Sequence, residues 1–301
     1  MIELWQAAKT SYRLDVVAFM DTKASQGSKT VIRKFTFAVF SAFLVCSCRS
    51  FSPDYNLSAG DSPCSIAANS CTFVLLDENS ARYHIVNRER ANKRYTPAST
   101  FKIANSLIAL ETGTLSGSDV SLRVDLSTYP QEDWWQPQWA TETYDLRGAF
   151  QNSVYPIYRS IATDIGPANM QSYLNRFEYG NQDISSGLDS FWVAGSLEIS
   201  AMEQIHFLQK LYHNEFALRQ STLDELKTIM LVEDEVTYKL FAKSGAALLG
   251  GGNVVFWYVG FVEDEAGVHY FAFNMHREPS PENAQLRIDL SREYLRNYGV
   301  I

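Results

Sequence analysis

The sequence predicts an α+β fold, in which an antiparallel sheet formed from the N- and C-terminal parts of a domain is flanked by helices, with an all-helical insertion between those parts. Strand patterns occur between residues 71 and 88 and again between 235 and 276, and helical patterns fill the stretch from 120 to 232. Strands at both ends and helices in the middle are typical of this class. Since the chain has 301 residues, of which 46% are hydrophobic, it can bury a sizeable core.

The N-terminal elements are a strand pair and a buried helix. The segments "CTFVLLDE" (71–78) and "ARYHIVNR" (81–88) are separated by a short turn and predict two paired strands. A helical pattern follows from Phe101 to Leu110, and Gly113 is suited to end it in a left-handed cap. Its apolar residues cover most of the circumference, so the helix is expected inside the protein.

The middle and C-terminal segments continue the pattern. Four stretches between residues 148 and 231 predict helices: "GAFQNSVYPIYRSIATDI", "GPANMQSYLNRF", "SAMEQIHFLQKLYH" and "STLDELKTIML". The runs "VTYKLFAKSG", "NVVFWYVGFVED" and "VHYFAFNMH" are rich in aromatic and β-branched residues and predict an antiparallel meander. The amphipathic stretch "NAQLRIDLSREYLRNY" (283–298) predicts a closing helix.

A leader precedes the folded part. Three cations between residues 29 and 34 are followed by an apolar stretch from Phe35 to Cys46, which is the layout of a secretory signal and is too short to span a bilayer comfortably. Residues 45–48, Val-Cys-Ser-Cys, resemble a bacterial lipoprotein cleavage box, so Cys48 is a candidate lipid anchor; ordinary cleavage is the alternative. We expect export to the bacterial periplasm, with or without membrane anchoring.

These patterns divide the chain into three parts. Residues 1–48 are interpreted as an upstream extension plus a signal or lipoprotein signal, 49–70 as a linker, and 71–301 as one folded domain. The first 28 residues do not look like part of a signal, and we expect the true start codon near Val31.

Charge, histidine and cysteine content narrow the partners. A net charge of −8 disfavours nucleic acids and anionic membrane surfaces, and the five histidines have no metal-ligand spacing, so no metal is expected. Cys64 and Cys71 would lie in an oxidising compartment, where they either form a disulfide or remain two thiols; their spacing leaves both open. The residues specify no oligomeric state.

The stretch "PASTFK" (97–102) places Ser99 and Lys102 three positions apart, on one face of a helix that starts near Ala98. A serine hydroxyl becomes nucleophilic when a base removes its proton, and a lysine can act as that base when burial lowers its pKa. The alternative is that Ser99 is only a helix cap.

Further motifs change the weight of these alternatives. Lys243-Ser244-Gly245 lies on a predicted strand, Ser153 lies in the helical insertion, Tyr-Gly-Asn occupies 179–181, and Trp192 lies within "DSFWVAGSLEIS". These motifs occur together with Ser-Thr-Phe-Lys and Phe-Trp-Tyr-Val-Gly-Phe-Val-Glu. In their order and spacing, the chain resembles the penicillin-recognising serine enzymes. Within them it resembles the class D, oxacillinase-type, serine β-lactamases, from roughly Cys71 to Asn297.

The resemblance implies a β-lactamase/transpeptidase-like fold and hydrolysis of a small-molecule β-lactam. Ser99 would attack the lactam carbonyl, and the backbone N–H groups of Ser99 and Ala246 would form the oxyanion hole. Lys102 would combine with carbon dioxide to give N6-carboxylysine, a carbamate that acts as general base, and no other cofactor is implied. The indole N–H of Trp192 would donate to this carbamate.

The remaining roles implied by the resemblance concern the leaving group and the substrate. Ser153 and Lys243 would relay a proton to the lactam nitrogen. Ser244 and Arg287 would hold the substrate carboxylate, Arg287 through a charge-assisted fork. Gly245 lets the ligand approach the backbone closely.

One position departs from the family pattern. The family motif reads Ser-x-Val, whereas Ser153 is followed by Val154 and Tyr155, so a phenol lies where valine helps cover the carbamate. We expect Tyr155 to contact the bound substrate region and to affect deacylation more than acylation. Two alternatives to hydrolysis follow: a penicillin-binding sensor domain that keeps the acyl adduct, and a peptidoglycan transpeptidase.

Overall fold

The computed structural model describes Cys64 and residues 70–193 and 195–301. The predicted signal, the Cys48 lipidation site and most of the linker lie outside the described residues. Within the described part, no helix combines the length and the apolar character that crossing a membrane requires.

A six-stranded antiparallel sheet forms the centre of the domain. Its strands, in spatial order, are β2 (Arg82–Val86), β1 (Cys71–Asp77), β6 (Gly267–Arg277), β5 (Val254–Asp264), β4 (Tyr238–Leu248) and β3 (Leu231–Asp234). Because β1 pairs with β6, the N- and C-terminal parts share one sheet. The α+β prediction is confirmed, including the meander of β4, β5 and β6. The short edge strand β3 was not predicted.

Eight α-helices and one 3₁₀-helix surround the sheet within the described residues. They are α1 (Arg88–Ala91), the 3₁₀-helix (Ala98–Phe101), α2 (Lys102–Thr112), α3 (Pro137–Thr141), α4 (Leu146–Gln151), α5 (Tyr155–Phe177), α6 (Ala201–Tyr212), α7 (Gln220–Met230) and α8 (Pro281–Asn297).

Helix boundaries follow local signals in most places. Gly113 ends α2 with a φ of 75°, as predicted, and Ser200 with Glu203 forms a capping box at the start of α6. The stretch 148–165 is wrong as a single helix, since the chain breaks between α4 and α5 and Ser153 there has a φ of 52°. Gly166, with a φ of 78°, also interrupts α5 before Pro167.

Both faces of the sheet are buried, which places α2 in the interior. One core contains the buried apolar residues of α2 together with α5, α6 and one sheet face. The other core lies under α8 and contains Phe73, Phe271 and Tyr294. Cys64 and Cys71 form a disulfide at its margin, which decides between the two alternatives that their spacing left open.

Candidate active site

Ser99 and Lys102 meet where the 3₁₀-helix passes into α2. Lys102 Nζ lies 2.8 Å from Ser99 Oγ, and the lysine side chain is completely buried. Burial disfavours the charged ammonium and lowers the pKa of Lys102 to about 7, so a large fraction is an uncharged amine near neutral pH. No side chain caps the start of either helix, so Ser99 does not act as a cap.

The backbone before the serine is tightly packed against β4. Ala98 has a φ of 52°, which is strained for a residue with a side chain. A Cβ at Gly245 would lie 3.1 Å from the Pro97 oxygen and 3.2 Å from the Ser99 nitrogen. Glycine is therefore needed for β4 to approach the backbone of Ser99 this closely.

A second lysine–serine pair faces the site from other elements. Lys243 Nζ, on β4, donates to Ser153 Oγ at 2.5 Å, in the turn between α4 and α5. Lys243 is buried, and its pKa is held well below the ordinary value by burial first, and then by the charges of Lys102 and Arg287. The charge of the nearby buried Lys102 thus adds to the cost of protonating Lys243.

Trp192 contributes a buried donor that has no acceptor. Its side chain is fully buried against Phe101, with ring centroids 5.4 Å apart. The main-chain oxygen accepts from Thr96 Oγ1 at 2.9 Å, whereas none of the described residues accepts a hydrogen bond from Nε1. Buried N–H groups are nearly always paired, so the Trp192 N–H marks a place suited to an anionic acceptor oxygen.

Tyr155 lies between the buried Trp192 and the surface. Its ring centroid is 6.1 Å from that of Trp192 and 5.8 Å from that of the half-exposed Trp134. Arg159 Cζ lies 5.6 Å from the same ring, and burial raises the pKa of the Tyr155 phenol. The phenol therefore covers the Trp192 side of the site.

Ser244, Ala246 and Arg287 lie at the open side. Ser244 and Ala246 are two residues apart on β4, so their side chains share one face, opposite Lys243 and Gly245. Arg287 reaches in from α8, with Cζ 5.7 Å from the Phe256 ring and close enough to Lys243 to affect its pKa. A second arginine of α8, Arg292, is instead paired with Glu233.

The turn at 179–181 supports the site from outside. Asn181 Nδ2 donates to the Ser196 oxygen at 2.7 Å, and its Oδ1 accepts from Glu198 N at 2.9 Å. Tyr179 is fully buried and its hydroxyl lies 3.4 Å from Gln204 Nε2. These contacts fix the segment that leads to Trp192 and do not reach Ser99.

One residue beside Lys102 was not found from the sequence. Tyr158 places its ring 5.0 Å from Lys102 Nζ, and its hydroxyl lies 2.8 Å from Ser106 Oγ. Helical spacing carried a weak signal for Tyr158, because it lies three residues after Tyr155 and its partner Ser106 lies four residues after Lys102.

Among the described residues there is no group of three histidine, cysteine, aspartate or glutamate side chains that could hold a metal.

Several known proteins are similar to this chain. Residues 71–290 match the family of penicillin-binding protein transpeptidase domains. β-Lactamase OXA-10 of Pseudomonas aeruginosa is 36% identical, over 76% of this chain and 84% of its own length. β-Lactamase OXA-48 of Klebsiella pneumoniae is 38% identical, over 76% of this chain and 83% of its own length.

The chain belongs to the class D serine β-lactamase family. The resemblance drawn from the motifs is thereby confirmed. A crystal structure of a class D β-lactamase from Nostoc superposes on this class D β-lactamase with a TM-score of 0.73 at 32% identity, covering 79% of this chain and 98% of that one. The crystal structure of the class D β-lactamase FUS-1 from Fusobacterium nucleatum superposes with a TM-score of 0.71 at 33% identity, covering 77% of this chain and 93% of that one.

Proposed function

We propose that this serine β-lactamase hydrolyses β-lactam antibiotics through an acyl-enzyme on Ser99, with Lys102 as a carbamate for its general base. The observation that carries the proposal is the buried Lys102 amine, of lowered pKa, 2.8 Å from the serine oxygen. Only an uncharged amine can take up a proton or combine with carbon dioxide, and burial leaves a large fraction of this one uncharged near neutral pH.

The surroundings of Lys102 fit a carbamate. The unpartnered indole N–H of Trp192 is a donor with no acceptor capacity, as an anionic oxygen requires. When bound there, the carbon dioxide unit supplies a carboxylate-like general base. The apolar rings of Phe101 and Tyr155 limit the access of water, which favours the uncharged amine and protects the adduct.

The chain's own residues account for acylation. Ser99 Oγ forms a bond to the lactam carbonyl carbon and loses its proton toward Lys102, while the N–H groups of Ser99 and Ala246 stabilise the oxyanion. The carbon–nitrogen bond then breaks, and the lactam nitrogen receives a proton from Ser153, which Lys243 supports at 2.5 Å. Ser244 and Arg287 orient the substrate carboxylate.

The second candidate is a protein that acylates without efficient turnover, as a penicillin-binding sensor domain or a peptidoglycan transpeptidase. It is favoured by the position of Tyr155 over the site and by two comparisons. The regulatory protein BlaR1 of Bacillus licheniformis is 34% identical over 68% of this chain and 33% of its own length. The family that matches residues 71–290 is that of penicillin-binding protein transpeptidase domains.

Steady-state hydrolysis of a penicillin, a carbapenem and oxacillin, with and without bicarbonate, separates the two candidates. We expect turnover that increases with bicarbonate and is lost in Lys102→Ala. Stoichiometric acylation without turnover supports the second candidate. Turnover that bicarbonate leaves unchanged, together with no carbamate on Lys102, excludes the proposed base.

The carbamate can be detected directly, without an activity assay. Nuclear magnetic resonance with ¹³C-labelled bicarbonate should give a carbamate signal in the parent protein and none in Lys102→Ala. Trp192→Phe, which keeps an aromatic ring and removes the N–H, should raise the bicarbonate concentration for half-occupancy about 10-fold or more, because a charge-assisted hydrogen bond is lost. An unchanged concentration contradicts the assigned role of Trp192.

We propose further that the enzyme acts in the periplasm, either free or anchored through Cys48. The proposal rests on the signal pattern of residues 29–48. Fractionation and N-terminal sequencing of the mature protein test it, and an intact Met1 in the cytoplasmic fraction would overturn it.

A further inference from the structure

Arg90, nine positions before Ser99, is a buried cation without a counter-charge among the described residues. It lies in α1 and is 6% exposed. Nη1 donates to Tyr95 Oη at 3.1 Å, but Nε and Nη2 have no acceptor in the described part of the chain. Burial lowers the pKa of Arg90, yet a guanidinium remains protonated in proteins.

Among the described groups around Arg90, Lys93 adds positive charge and none supplies a full negative charge. Arg90 Cζ lies 4.7 Å from the centre of the Tyr95 ring, and Lys93 Nζ lies 5.6 Å from it. The His276 ring meets the same tyrosine edge-on, with centroids 4.6 Å apart. Burial first, and then the charges of Arg90 and Lys93, lower the pKa of His276 to about 4, so it is neutral at neutral pH.

Other polar atoms of β6 lack partners as well. Among the described residues, no group bonds to His276 Nε2, to Arg277 Nε or to either amide atom of Asn274. Asn274 and His276 are two residues apart on β6, so they lie on the same face of the sheet, and Asn274 is fully buried. The described ion pairs include none between Arg90 and a carboxylate.

A buried charge is strongly destabilising unless something pairs with it. Nε and Nη2 form one edge of the guanidinium, and their two parallel N–H groups match two oxygens of one anion. We propose that Arg90 binds a small inorganic oxyanion, such as sulfate or phosphate, beside Tyr95 and His276. None of the residues that form this site is assigned to the β-lactam site, and the proposal does not depend on the proposed function.

Calorimetric titration with sodium sulfate and sodium phosphate, and thermal unfolding in the same salts, test the site. The reference is sodium chloride at equal ionic strength. Chloride is a single atom, so it cannot offer one oxygen to each of the two parallel N–H groups of Arg90. We expect one binding equivalent and, about 100-fold above Kd, a rise in Tm of about 5 °C. Absence of binding heat together with equal Tm in oxyanion and chloride overturns the proposal.

Two variants and a control assign the effect to Arg90. Arg90→Gln should lose the response, whereas Arg88→Gln, an exposed arginine of the same short helix, should keep it. His276→Asp, which places a carboxylate beside the guanidinium, should raise Tm in oxyanion-free buffer and reduce the response to sulfate. This variant tests the proposal even if Arg90→Gln does not fold; a full sulfate response in His276→Asp contradicts it.

Discussion

Replacing Lys102 with methionine should stabilise the fold near neutral pH, by an amount that decreases as the pH rises. The pKa of Lys102 is about 7 in the folded protein and 10.5 ordinarily. Between these values the unfolded chain binds a proton that the folded chain does not, so the stability contributed by this position falls as the pH drops toward 7. Methionine has a similar length and carries no proton.

The magnitude follows from the difference between the two pKa values. The penalty for burying Lys102 is about 4 kcal/mol at pH 7 and about 2 kcal/mol at pH 9, since one pKa unit corresponds to about 1.36 kcal/mol. Loss of the hydrogen bond to Ser99 offsets about 1 kcal/mol of the gain. Lys102→Met should therefore raise the free energy of unfolding by about 3 kcal/mol at pH 7 and about 1 kcal/mol at pH 9.

Urea unfolding at the two pH values measures this effect, in buffers free of carbon dioxide so that no carbamate forms. Lys239→Met is the control, because this lysine of β4 is 49% exposed in an ion pair with Asp234. Its effect should be small and similar at both pH values. The reasoning is refuted if Lys102→Met is no more stable than the parent at pH 7, or if its gain is the same at pH 9.

Three further substitutions test the packing around the site. Gly245→Ala should slow acylation about 10-fold or more, because its Cβ would lie 3.1 Å from the Pro97 oxygen, and Gly250→Ala, in open space, should leave the rate unchanged. Tyr155→Val should change the deacylation rate more than the acylation rate in rapid-quench experiments; equal effects contradict the assigned cover. Cys64→Ser should lower the free energy of unfolding by about 2 kcal/mol under non-reducing conditions only.

Local patterns were sufficient for most of the fold. The aromatic run of β5 and the apolar circumference of α2 are strong signals that lie within a single segment. The edge strand β3 has only four residues and exists through its pairing with β4, which no local pattern encodes. The break at Ser153 was missed for a similar reason, because its left-handed backbone accompanies a bond to Lys243, 90 positions away in the chain.

The Ser99–Lys102 pair was accessible from spacing, whereas the residues proposed to act with it were not. Ser99 and Lys102 lie one turn apart, so helix geometry alone brings them together. Ser153 and Trp192 were assigned through family resemblance, since their chain distance from Lys102 says nothing of contact. The unbalanced charge of Arg90 escaped notice because composition counts cations and does not show which of them lack a partner.

The crowding of Lys102 and Lys243 also affects how charged ligands bind. Burial depresses proton binding by both amines, and the charge of Lys102 depresses it further at Lys243, so the pocket holds fewer protons than two lysines carry in water. An inhibitor that brings a carboxylate relieves this deficit and should draw protons from the solution as it binds. Its heat of binding should then vary with the ionisation enthalpy of the buffer, and its affinity should weaken in alkaline solution.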